Sequence, residues 1–172
     1  MASTQGDGPA LFALIIGINK YKSWEWDDLG GAVADAKAIQ AYLELTLKVP
    51  SSQIKTFFDE QATRDAIVSY LCNFTKMNQG IKRNDPILIY FAGHGAYAPT
   101  PPGWESGGPN IQLLIPHDSL CNSGGKQILG IPDRTIGVIL EKLASEIGDN
   151  IVRASCQTLG GDTNRVTIDS YI

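Results

Sequence analysis

Two apolar runs constrain this chain more than anything else in it. LFALIIGI, from Leu11 to Ile18, and ILIYFA, from Ile87 to Ala92, are apolar almost throughout rather than at alternate positions. A strand that is apolar on both sides has to be covered on both sides, which is the situation of a strand inside a parallel sheet. Between and after these runs the pattern changes to a helical one. From Gly31 to about Leu45 the residues Val33, Ala36, Tyr42 and Leu43 recur at helical spacing. Ile54 to Phe58 is a second short strand, closed by Asp59 and Glu60. Thr63 stands at a helix N-cap position with Asp65 in the first turn, where a carboxylate suits the helix dipole, and Ile67, Leu71 and Phe74 form the apolar stripe. Beyond ILIYFA come a Pro/Gly-rich loop from Tyr97 to Asn110 and a strand from Gln112 to Ile115. Pro132 fits the first turn of a last helix with the stripe Ile136, Leu140, Leu143 and Ile147, capped by Gly148. Alternating strands and helices require crossover connections, so the expected fold is α/β: a three-layer sandwich around a mostly parallel sheet.

Composition narrows the function classes. A length of 172 residues fits one domain, and 43% hydrophobic residues rule out a disordered chain. With 14 basic against 18 acidic side chains, and the basic ones scattered, there is no electrostatic footprint for nucleic acid or for a membrane surface. No apolar run approaches the ~18 residues of a membrane span. Residues 1–10 read as a flexible tail without the basic start of a secretion signal. Three cysteines, Cys72, Cys121 and Cys156, make no disulfide framework, so a reducing, cytoplasmic setting is expected. Cys72 falls on a helix and is expected in the core, and Cys121 in a loop.

In a parallel sheet, reactive groups gather outside the carboxyl ends of the strands. Gly93-His94-Gly95 follows the most apolar strand directly, and the flanking glycines let backbone approach closely while the imidazole projects from a tight turn. Histidine titrates near neutral pH, which makes His94 the candidate general base. His117, between Pro116 and Asp118, reads as a structural turn, with Asp118 able to hydrogen-bond across the rim. Neither histidine has Cys or carboxylate partners at zinc-ligand spacing, and no cofactor is demanded by the residues. A flavodoxin- or receiver-type ligand domain would need a phosphate-cradling glycine loop after the first strand, and INKYKSWEW offers none.

LFALIIGINKY, LGGAVADAKAIQAYL, ILIYFAGHGA and LLIPHD, in that order, resemble the amino-terminal part of the caspase-like cysteine peptidases (the peptidase C14 type), and within them the metacaspase-like proteins of fungi. The similarity runs from about Leu11 to Ile151. It implies a caspase-like fold and peptide-bond hydrolysis by a Cys–His dyad, with polypeptide substrates cleaved after Arg or Lys. By its motif His94 is the dyad histidine and Gly95 lies near the oxyanion site. Asp35 matches an acidic residue of the first helix and is expected to act as a cap. Asp27 and Asp28, after Trp24 and Trp26, fall in a variable loop with no role to carry over. Calcium dependence occurs in such enzymes, but no ligand set can be named here.

The resemblance lapses after Ile151. The family calls for an apolar strand ending in Asp-Cys-Cys-His-Ser-Gly or a close variant, whereas this chain reads VRASCQTLGGDTNRVTIDSYI. Arg153 and Ser155 are expected to interrupt a buried strand, where an unpaired charge is costly. By the family's spacing the nucleophile falls at Thr158, and Cys156, two residues earlier, is the only thiol nearby. A shift of two keeps strand parity but sets the thiol about 6.6 Å back along the strand. The acidic residue expected before the nucleophile is missing, and Asp162 lies beyond it without a motif. Residues 11–151 are therefore read as the caspase-like domain and 152–172 as a divergent tail, with the fold incomplete at the carboxyl end. The competing expectation is a catalytically dead caspase-fold module that associates with copies of itself or with intact relatives.

Overall fold

The computed structural model describes residues 10–104, 108–159 and 163–171. The tail expected over residues 1–10 lies outside them except for Ala10, as does Asp162. In chain order the elements are β1 (Phe12–Gly17), α1 (Ala32–Ala41), β2 (Ile54–Phe58), α2 (Arg64–Cys72), α3 (Phe74–Met77), β3 (Ile87–Pro99) and β4 (Asn110–Leu114). They continue with β5 (Asn122–Ser123), β6 (Lys126–Gln127), β7 (Ile131–Pro132), α4 (Asp133–Ile147), β8 (Ile151–Leu159) and β9 (Thr163–Tyr171).

The expected α/β architecture is present. β2, β1, β3 and β8 lie side by side and parallel, and β9 runs antiparallel to β8. Past the end of β1, β3 stays paired with β8 as far as Gly95 and on its other edge takes β4 as an antiparallel neighbour, with β7 beyond it. Side chains on a strand alternate between faces, so the two apolar runs feed two cores. Phe12, Leu14 and Ile16 join Ile87, Ile89 and Phe91 against α2, α3 and α4. Ala13 and Ile15 join Leu88 and Tyr90 against Ala36 and Leu43, on the side of α1. All six residues of β1 are buried, and fully burying one large aliphatic side chain stabilises by about 1.5–3 kcal/mol.

α1 lies very close to the sheet. A Cβ at Gly17 would come 2.7 Å from the Cβ of Ala36, so small residues on both elements set the spacing. The cap of α1 departs from expectation: Asp35 is in the first turn without a capping hydrogen bond, and Asn19 Oδ1 instead accepts the Val33 N–H at 3.1 Å. Thr63 Oγ1 caps α2 as expected by accepting the Ala66 N–H. Gly148 ends α4 with φ of +100°, a conformation that favours glycine.

Three other expectations are corrected. Gly93-His94-Gly95 is not a turn after a strand but the interior of a 13-residue strand, because β8 flanks residues 87–95 on one side and β4 takes residues 95–99 on the other. Residues 151–159 are not interrupted as a strand: Arg153 forms an ion pair with Asp133 in the first turn of α4, and Ser155 is small enough to be buried. Cys72 is exposed rather than in the core, since the buried face of α2 is Ile67, Tyr70 and Leu71.

Candidate active site

The site forms where β3 and β8 end, beneath the loop from Asn19 to Gly31. That loop is fastened at several points. Asp59 Oδ1 accepts the N–H groups of Asn19 at 2.7 Å and Lys20 at 2.9 Å. The Leu29 N–H returns to the Asn19 carbonyl at 2.7 Å, which closes the loop on itself. His117 Nδ1 donates to the Lys20 carbonyl at 2.7 Å, and the Lys22 N–H donates to the His117 carbonyl. His117 is thus structural, as expected. Asp118 does not reach across the rim but accepts the Arg64 N–H at the start of α2.

His94 is 8% exposed, in contact with the loop. Its ring lies 4.9 Å from that of Tyr21 and 5.6 Å from that of Trp26, centroid to centroid. Nε2 is 2.8 Å from the Asp27 carbonyl oxygen. A carbonyl only accepts, so in the neutral ring the proton is on Nε2 and the lone pair on Nδ1. Nδ1 is therefore the atom that takes up a proton when the ring acts as a base. Sequence reasoning assigned nothing to Asp27 and overlooked Tyr21 and Trp26. The Asp27 contribution is a main-chain atom and leaves no trace in residue type, whereas aromatic residues just upstream of a glycine-rich helix start were a usable signal.

Cys156 is paired in register with Ala92, while His94 is paired with Thr158 and Gly95 with Leu159. The thiol thus stands two positions behind the imidazole. It lines a cavity of about 220 Å³ together with Gly30, Gly31, Asp35, Ala92 and Gly93. Burial pushes the Cys156 pKa up, and the negative charge of Asp35 adds to the effect. A raised pKa keeps the thiol protonated near neutral pH and lowers its reactivity. Tyr90, beside them, is pushed up to about 12, mainly by burial. Among the described residues no group of three or more His, Cys, Asp or Glu side chains gathers as a metal site. None of their helices is long and apolar enough to cross a membrane.

A family model described as caspase domain matches residues 10–127, more than half of the chain. The chain belongs to the caspase domain family. The matched segment takes in β1 through β6 and His94, and it ends before β8 and Cys156. Among solved structures, the protein GSU0716 of Geobacter sulfurreducens is similar in fold, with a TM-score of 0.59 at 17% identity. The likeness covers 87% of this chain and 52% of that one, so this chain spans about half the length of the relative. No curated protein matches the sequence.

Proposed function

We propose that this caspase-fold domain is a cysteine-type endopeptidase domain in which His94 is the base and polypeptide lies across the carboxyl ends of β3 and β8. The observation that carries this reading is the setting of the imidazole, held against Tyr21 and Trp26 with its proton fixed on Nε2 by the Asp27 carbonyl. In that reaction the thiol proton passes to Nδ1 and sulfur bonds to the scissile carbonyl carbon. The C–N bond then breaks as the imidazolium returns a proton to the amine, and water hydrolyses the thioester. Cys156 is the thiol on this part of the sheet, and Gly95 lies near the carbonyl oxygen of the substrate. A metacaspase-like preference for Arg or Lys before the cleaved bond is supported by the carboxylate of Asp35 on the cavity wall next to Cys156. Purified protein should hydrolyse Arg- or Lys-containing fluorogenic peptides, and His94→Ala and Cys156→Ala should each abolish the signal. Turnover that survives His94→Ala would rule the reading out.

The register favours a second reading. With Cys156 abreast of Ala92 rather than His94, and its thiol held protonated, the chain would act as an inert caspase-fold module that associates with intact relatives or with itself. A complex with an active family member, isolated from a sample showing no turnover of its own, would support this. A monomer that neither cleaves nor associates would dismiss it.

A further inference from the structure

β3 has a gap in its pairing beside the candidate base. On one edge, β1 pairs with it as far as Gly17 opposite Ala92, and β4 begins only at Leu114 opposite Gly95. The Ile18 N–H closes one side of the gap on the Ala92 carbonyl, and the Ile115 N–H closes the other on the His94 carbonyl. Between them the His94 N–H faces no strand. A buried N–H without an acceptor is costly, and the acceptor found here is a side chain: the His94 N–H donates to the Tyr21 hydroxyl oxygen at 2.7 Å. The hydroxyl comes so near the main chain that a Cβ on residue 93 would lie 2.9 Å from it, and 3.0 Å from the ring of Phe91. The ring of the same tyrosine lies at 45° to the imidazole.

We propose that Tyr21 is a positioning residue for His94: its hydroxyl replaces the missing strand partner of the histidine backbone, its ring fixes the plane of the imidazole, and Gly93 is glycine because that hydroxyl must pass. Tyr21 acts through His94 and is not assigned a contact with substrate. The role in catalysis rests on the reading of His94 as the base, so the decisive experiment observes the imidazole directly.

The chain has two histidines, and their main-chain partners select opposite neutral tautomers: Nε2–H for His94 and Nδ1–H for His117. Nitrogen-15 NMR of ring-labelled protein therefore separates them. Tyr21→Phe keeps the ring and removes the acceptor. The His94 resonances should then move towards tautomer-averaged values while those of His117 stay in place, and kcat for an Arg-containing peptide should fall about tenfold, ~1.4 kcal/mol of barrier, with KM unchanged. Gly93→Ala should lower the unfolding midpoint in both backgrounds, since the Phe91 ring stays close, and by more in the presence of Tyr21 than with Tyr21→Phe. His94 resonances unchanged in folded Tyr21→Phe, or an equal cost of Gly93→Ala in both backgrounds, overturns the proposal. Wild-type protein without turnover counts against the endopeptidase reading alone, because the NMR and unfolding results still decide on Tyr21.

Discussion

A thiol attacks as thiolate, so the state of Cys156 is decided by what surrounds it. Burial comes first: the side chain is half-buried between β8 and α1, and the charged form loses hydration there. The Asp35 carboxylate comes second and repels a developing negative charge. Both act against ionisation, and neither comes from a residue beside Cys156 in sequence. Cys72, exposed at the end of α2, is a reference thiol in the same molecule. Alkylation by iodoacetamide, followed peptide by peptide in a mass spectrometer, should be slower at Cys156 than at Cys72 near pH 7. The rate at Cys156 should still be climbing above about pH 9, where an ordinary thiol is mostly ionised. Asp35→Asn should speed labelling of Cys156 at neutral pH without bringing it level with Cys72, since burial is the larger cause. Equal rates for the two thiols in the wild type would show that the fold does not suppress the nucleophile.

At the level of elements, the relation between β3 and β8 governs the site. The pairing puts Thr158, not Cys156, opposite His94. Adjacent strands lie about 4.8 Å apart, whereas two residues along a strand span about 6.6 Å, so register decides whether a dyad can form. The double variant Cys156→Ala/Thr158→Cys moves the thiol by that distance and keeps strand parity. Its turnover of an Arg-containing peptide should exceed that of the wild type at least tenfold and vanish on adding His94→Ala; no gain would mean that register is not what holds the activity down. This geometry was partly legible in the residues. The apolar runs gave away β1 and β3, and a capping threonine gave away α2, because these signals are local. The continuation of β3 through Gly93-His94-Gly95 was not legible, since it depends on β4 and β8 supplying partners from distant parts of the chain. Arg153 was misread for the same reason: its ion-pair partner Asp133 lies 20 residues away and meets it only once α4 is docked.

Over the whole molecule, three tyrosines sample both hydrophobic cores: Tyr21 and Tyr70 pack with one, Tyr90 with the other. Tyr21 is in the loop over the active end, Tyr70 is in the core shared by α2 and α4, and Tyr90 is in the core under α1. In each case burial raises the phenol pKa, strongly for Tyr21 and up to about 12 for Tyr90. In the unfolded chain all three ionise near pH 10. From about pH 10 upward the unfolded state therefore releases protons that the native state keeps, and stability must fall as pH rises until the native phenols ionise too. Below about pH 9 both states hold these protons, and the contribution is present in full. Urea unfolding midpoints should accordingly be level with respect to these groups up to about pH 9 and decline steadily from pH 10 to 12. Absorbance at 295 nm should show part of the tyrosine ionisation of the native protein delayed beyond about pH 11, and Tyr90→Phe should remove a share of that delayed part. Tyr90→Phe should make the decline shallower, because it removes a group that separates the two states. If the variant follows the wild-type curve unchanged, Tyr90 does not hold its proton through burial, and the packing of β3 and β8 against α1 is looser than the structure describes.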